Sequence, residues 1–208
     1  MFSNRLEAGR LLGEELLRRN VQADLVVAIP RGGLGVAEPV AAALGVPLDI
    51  VIVRKLGAPG NPEYAIGAVD PDGTVELTTR GWADDAYVRS ESRRVLEEIR
   101  RREHMYRAGT PAAALTNKRV ILVDDGVATG ATAVRAIAYV KRCGARSVVF
   151  ATPVAPASGV EALRAAADSV VVLESPKEFW AVSQAYQQFL QMTDAEVVAS
   201  LARSRTRG

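Results

Sequence analysis

The stretch Val120–Thr132 reads VILVDDGVATGAT, and its order of residue types decides the fold. Arg119–Val123 (RVILV) is a short apolar run with no polar residue alternating inside it, which predicts a strand buried on both faces. Two carboxylates, Asp124 and Asp125, stand at its carboxyl end, and the small residues Gly126 to Gly130 follow. A helix is predicted over Thr132–Arg142, ending near Gly144. A buried strand, a tight turn and a helix in that order form the repeating unit of a parallel sheet.

Working outward, the same alternation continues in both directions. Downstream, Ser147–Thr152 (SVVFAT) and Ser169–Leu173 (SVVVL) predict strands separated by a helix over Val160–Ala167. Upstream, Asp24–Pro30 (DLVVAIP) predicts a strand closed by Pro-Arg-Gly-Gly, then a helix over Leu34–Leu44 and a strand at Leu48–Val53 (LDIVIV). Strand, helix, strand implies parallel pairing through a right-handed crossover. The pattern predicts an α/β fold, a doubly wound and mostly parallel sheet with helices on both faces.

Three segments stand outside that rhythm. Residues 56–83 hold many glycines and prolines, two weak strands at Tyr64–Val69 and Thr74–Leu77, and a Pro71-Asp72-Gly73 turn. They are expected to form a flexible loop or hairpin insertion, and a charged helix over Asp84–Arg107 returns the chain to the sheet. Within Met1–Asn20, the residues Phe2, Leu6, Leu11, Leu12, Leu16 and Leu17 predict the apolar face of a helix. Residues 174–192 carry Phe179, Trp180, Tyr186 and Phe189 with no clear period, and Thr193 or Asp194 can cap a last helix over Ala195–Ala202.

Composition bounds the class. A chain of 208 residues, 49% of them hydrophobic, suits a single domain over 1–208 with a proper core. Its one cysteine, Cys143, excludes an internal disulfide and fits a reducing cytoplasm. No apolar run reaches the ~20 residues that span a bilayer, and 1–20 mixes acids and bases unlike a secretory leader. A cytoplasmic protein without membrane contact is expected. The net charge of +2 points to no partner. The bases of Arg89–Arg107 are interleaved with Glu91, Glu97, Glu98 and Glu103, which suits a solvated helix better than a nucleic-acid surface. Arg203, Arg205 and Arg207 read as a basic tail, and the only histidine, His104, as a helix-surface residue.

The turn after Val123 carries the chemistry. Ligands of open parallel sheets bind beyond the carboxyl ends of the strands. A small-residue turn entering a helix offers backbone N–H groups and the positive end of the helix dipole to a phosphate, and Thr129 and Thr132 add hydroxyls. The adjacent carboxylates can accept hydrogen bonds from vicinal hydroxyls. Phosphate donors beside diol acceptors describe a seat for a ribose 5-phosphate.

At these residues the chain resembles the type I phosphoribosyltransferases. VILVDDGVATGAT is similar to their motif for 5-phosphoribosyl-1-pyrophosphate (PRPP), and Asn61–Val69 with Asp124–Thr132 resembles an uncharacterised group of predicted phosphoribosyltransferases. The resemblance implies that Asp124 and Asp125 hold the ribose hydroxyls and, directly or through water, Mg²⁺. It implies that Ala128, Thr129, Gly130, Ala131 and Thr132 wrap the 5-phosphate. Ile29–Leu34 resembles the pyrophosphate loop, which gives Arg31, Gly32 and Gly33 to pyrophosphate and makes Arg31–Gly32 the candidate non-proline cis bond. Arg54 and Lys55 resemble a basic pair near pyrophosphate, with Arg31 and Lys55 as the catalytic cations. Residues 56–83 match a closing loop and 174–192 a small C-terminal hood, where Phe179 and Trp180 are candidates to stack on the acceptor; Glu63, Tyr64, Glu103 and Tyr106 are weaker candidates near the site.

The reaction so implied transfers phosphoribosyl from PRPP to a nitrogen acceptor, a nucleobase or related heterocycle, with release of pyrophosphate, in nucleotide metabolism. A homodimer is the default assembly. Two departures from the family pattern stand out. Ala128 replaces the Asp of 6-oxopurine enzymes, which argues against those bases, and Gly126 replaces a branched apolar residue, which would loosen the turn or enlarge the pocket. An alternative is a PRPP-binding regulatory protein without efficient catalysis. A dinucleotide site is disfavoured because Glu38 stands where the third glycine of GxGxxG belongs; no Walker motif is present, and Asp124-Asp125-Gly126 is not the spaced DxD of a haloacid-dehalogenase phosphatase.

Overall fold

The central strands of the main sheet are apolar at successive positions because helices cover both of its faces. The computed structural model describes residues 1–78, 81 and 83–205, without the side chains of Glu63 and Arg205. The strands are β1 (Leu25–Ala28), β2 (Leu48–Ile50), β6 (Arg119–Val123), β7 (Ser147–Val154) and β8 (Ser169–Glu174), in spatial order β2-β1-β6-β7-β8 and all parallel. Alternate residues divide between two cores. Val26, Ala28, Ile121 and Val123 meet Leu12 and Leu16 of α1 (Arg5–Arg18), Leu34 and Val40 of α2 (Gly32–Leu44) and Val197 and Leu201 of α6 (Asp194–Arg205). Leu25, Val27, Val120 and Leu122 meet Ala136, Ile137 and Val140 of α4 (Ala131–Arg142) and Leu163 of α5 (Ala157–Ala166).

Two expectations are corrected. The face of α1 is narrower than its leucines suggest: Leu12 and Leu16 are buried with Ala8, but Leu6 and Leu17 are 66% and 50% exposed. The strand predicted to run to Val53 ends at Ile50, because its neighbour β1 stops at Ala28 and offers no ladder beyond. Within 56–77 the expected hairpin is present as β4 (Asn61–Val69) and β5 (Val75–Leu77) and is larger than expected. Arg54 begins a third strand, β3 (Arg54–Ala58), which completes a three-stranded antiparallel sheet. Its Leu56, Ile66 and Val69 pack with Val95 and Ile99 of α3 (Asp85–Arg107). Residues 79, 80 and 82 of the 56–83 segment, and Arg207 of the tail, lie outside the described residues.

Ion pairs fasten this second sheet to the first layer. Asp70, fully buried, accepts the backbone N–H groups of Asp72 and Thr74 at 3.1 Å, which shapes the β4–β5 turn. Its other oxygen accepts Arg142 at 2.7 Å and also Arg135, both from α4. The remaining charges of α3 read as the sequence suggests: Glu98 binds Arg101 and Arg102, Glu91 binds Arg94, and His104 is exposed. Among the described residues no helix is long and apolar enough to cross a membrane.

Candidate functional site

The strand order places two loops side by side. From β1 the chain moves through α2 to β2 on one side of the sheet, whereas from β6 it proceeds to β7 and β8 on the other. The ends of β1 and β6 therefore flank the switch point where open parallel sheets bind ligands. They stay together past the ladder, since Ile29 N donates to the Val123 carbonyl at 2.9 Å. A cleft of about 360 Å³ opens there, lined by Ile29, Pro30 and Gly32 from one loop and by Asp124–Gly130 with Thr132 from the other; Val53 and Val182 add apolar walls.

The two loops fit because glycine faces carboxylate. A Cβ on Gly32 would fall 2.0 Å from Asp125 Oδ2, so only a bare backbone can pass there. Gly33 packs on the Val123 carbonyl and Asp124 Cα in the same way. The non-proline cis bond is Pro30–Arg31, one residue before the expected position. Arg31 already has helical torsions as the N-cap of α2, so the bond that follows it belongs to the regular helix.

Asp124 and Asp125 are close together and differently partnered. Asp124 Oδ1 accepts Asp125 N at 2.9 Å, and Asp124 forms no ion pair among the described residues. Burial, and next the adjacent Asp125 charge, push its pKa well above the ordinary carboxylate range. Asp125 is raised by burial too, against the pull of Arg5, whose Nε lies 2.7 Å from Oδ2. Beyond the acids, Gly130 opens α4, and the first N–H groups of that helix lack intrahelical acceptors at the cleft mouth. Ala128 and Thr129 are exposed on this turn; Ala131 and Thr132 are partly buried in the first helical turn.

The basic residues sit at the margin. Arg31 Nη1 lies 3.5 Å from Asp194 at the start of α6, and its side chain does not line the cleft. Arg54 faces α3, where burial and then the charge of Arg102 lower its pKa. Lys55 is exposed on β3, two residues beyond Val53. Tyr106 is buried with its hydroxyl on Asp194 at 2.6 Å, and Glu103 lines a separate cleft with Asp49 and Arg107. Tyr64 is 42% exposed on β4. Of the hood aromatics, Phe179 packs with Phe2 and Val154, while Trp180 is 84% exposed; neither lines the cleft.

The hood reaches the cleft through residues the sequence did not mark. Val182, in a short 3-10 turn (Val182–Ala185), covers Gly126. A Cβ at 126 would lie 2.4 Å from a Val182 methyl and 3.0 Å from a Val154 methyl, so the missing side chain neither loosens the turn nor enlarges the pocket. Val182 fills its place. Gly126→Val should therefore lift the hood and cost about 1–3 kcal/mol, read as a lowered urea midpoint. Tyr186 donates its hydroxyl to the Asp125 carbonyl, and burial together with nearby carboxylates raises its pKa and keeps it a donor. Tyr186 and Phe189 stood out only as hood aromatics and Arg5 not at all, because their part is a contact between distant segments.

An acid pair and a small-residue helix start, facing a glycine turn at the switch point, define an α/β protein built around one strand-end cleft. The chain belongs to the phosphoribosyl transferase domain family, whose model matches residues 4–188. It is 42% identical, over 98% of its length, to a Mycobacterium tuberculosis H37Rv protein provisionally named a phosphoribosyl transferase, and it spans about half (47%) of that protein. A uracil phosphoribosyltransferase of Caulobacter sp. strain K31 is 47% identical over 58 residues, 28% of each chain. The crystal structure of TT1426 from Thermus thermophilus superposes with a TM-score of 0.83, at 45% identity, covering 97% of this chain and 98% of that one.

Proposed function

We propose that the chain, acting as one domain, binds PRPP with Mg²⁺ in this cleft and transfers its phosphoribosyl group to a ring nitrogen of a heterocyclic acceptor, releasing pyrophosphate. The observation that carries the reading is the Asp124–Asp125 pair set beside the first turn of α4 at the switch point. The 5-phosphate would sit on the N–H groups and hydroxyls of 128–132, and the ribose hydroxyls would donate to the acids. The backbone of Gly32 and Gly33 would face pyrophosphate. Arg31, released from a partly exposed and weak pair with Asp194, and Lys55 would approach it from the rim.

The residues present fit Mg²⁺. Asp124 is a partly buried carboxylate with no ion pair among the described residues, disfavoured as an anion by burial and then by Asp125, and a divalent ion would relieve that cost. Among the described residues no group of three His, Cys, Asp or Glu could hold a metal alone, which suits an ion that takes most of its ligands from water and pyrophosphate. When bound, Mg²⁺ would neutralise charge on the leaving group. In the transfer itself, the acceptor nitrogen lone pair forms the bond to ribose C1 while the C1–O bond breaks. Its electron pair leaves with pyrophosphate, and the nitrogen proton passes to solvent. The protein's part is to align the partners and hold the departing charge.

The test is pyrophosphate release from PRPP and Mg²⁺ across a panel of purines, pyrimidines and simpler azoles. Release that needs both PRPP and one base supports the transferase and names its acceptor. Tight PRPP binding with no release for any base would replace it by a PRPP-binding regulator.

A further inference from the structure

Arg5 stands 120 residues from Asp125, in the first turn of α1, yet the two side chains are only 11% and 13% exposed. Three features of one guanidinium are in use at once. Nε donates to Asp125 Oδ2 at 2.7 Å, and Nη1 donates to the Leu190 carbonyl in the hood at 2.6 Å. The ring of Phe189 lies 3.9 Å from the guanidinium carbon, with Tyr186 at 5.9 Å. On its other side Oδ2 abuts the backbone of Gly32. The Asp125 carbonyl, in turn, accepts the Tyr186 hydroxyl. Asp125 is thus enclosed by α1, the hood and the Gly32 turn, and Asp124 has no equivalent partner among the described residues.

We propose that Arg5 is a positioning residue for the donor site, an inference that rests on the PRPP reading above. It fixes Asp125 between the hood and the Gly32 turn, and so leaves Asp124 as the carboxylate that meets the ribose hydroxyls. The paired acids then do different work: one binds the sugar, and the other joins the sugar site to residues 186–190. Only arginine suits the position. Its planar fork serves two acceptors at fixed angles while its face stacks on an aromatic ring, whereas a lysine ammonium brings charge without the fork or the face.

Calorimetric titrations of inorganic phosphate, ribose 5-phosphate and PRPP with Mg²⁺ into wild type, Arg5→Met and Arg5→Lys test the assignment. Phosphate reads only the α4 turn, while the two sugar phosphates also read the acids. Arg5→Met should bind phosphate as wild type does, with ribose 5-phosphate and PRPP affinity lowered about tenfold to a hundredfold. Arg5→Lys should recover part of that loss. Equal PRPP affinity in wild type and Arg5→Met overturns the assignment. A matching loss for all three ligands does so too, since it would make Arg5 a residue of folding alone. If Arg5→Met fails to fold, Arg5→Lys decides: lowered sugar-phosphate affinity with unchanged phosphate affinity upholds the assignment, and unchanged affinity for all three overturns it. Wild-type protein that binds phosphate but neither sugar phosphate overturns the proposed function, and this inference with it.

Discussion

Asp124→Asn is expected to weaken PRPP binding about a hundredfold or more and, at the same time, to make the protein more stable. The two effects share a cause. A carboxylate that accepts ribose hydroxyls forms charge-assisted hydrogen bonds worth about 1.5–3 kcal/mol each. An amide keeps the shape, surrenders the charge and presents an NH₂ where an acceptor is needed. In the ligand-free protein the same charge is a burden, since burial and Asp125 raise the Asp124 pKa well above its ordinary value. A carboxyl whose folded pKa is raised gives up stability as pH climbs through its unfolded value of about 4 toward the folded one. Asparagine has no such loss, so the gap should open above about pH 4 and widen toward neutrality, with the variant the more stable protein at pH 7. Urea unfolding at pH 4 and pH 7 measures it. A variant less stable than wild type at pH 7 would contradict this account of the pair.

The largest loss of stability is expected from Asp70→Ala. Asp70 is the buried carboxylate that joins the β4–β5 turn to α4, accepting Arg135, Arg142 and two backbone N–H groups with none of its surface exposed, while Asp72 adds an exposed pair to Arg142. Removing it leaves Arg135, only 7% exposed and with an Nε that lacks a partner, held among the described residues by the longer 3.5 Å pair with Glu76 alone. Breaking a buried pair from one side costs about 3–5 kcal/mol. For a domain of this size that is on the order of 10 °C in Tm. The damage should not stop at the turn, because Arg135 and Arg142 belong to the helix whose first turn faces the cleft. A Tm within about 2 °C of wild type would show that solvent or a neighbouring acid replaces Asp70.

Asp124 and Asp70 also mark how much could be read from the sequence. The place of Asp124 in the cleft was legible because the pattern is local: an apolar run, two acids, small residues and a helix start lie within 13 consecutive positions, Val120–Thr132. The parallel sheet was legible for the same reason, since RVILV and SVVFAT bury both faces and have few alternatives. Asp70 only precedes the Pro71-Asp72-Gly73 turn in sequence, and nothing nearby foretold two arginines from α4. The β3–β5 sheet was blurred by Gly57, Gly60, Gly67 and Pro62, which weaken any strand pattern, while its stability comes from Leu56 and Ile66 packing on α3. Among the aromatics, composition singled out Phe179 and Trp180, yet Tyr186 and Phe189 approach the acids, an arrangement set by Arg5 from the opposite end of the chain. Periodicity reports which face an element buries; it says nothing about which distant side chain crosses to meet it.

The most direct test of the central claim is a calorimetric titration of PRPP into the protein with and without Mg²⁺, run beside Asp124→Asn/Asp125→Asn. The account predicts saturable binding that requires Mg²⁺ and vanishes in the double variant. Folded wild-type protein that fails to bind PRPP at millimolar concentration would contradict it, and the cleft would then have to serve a different phosphate ligand.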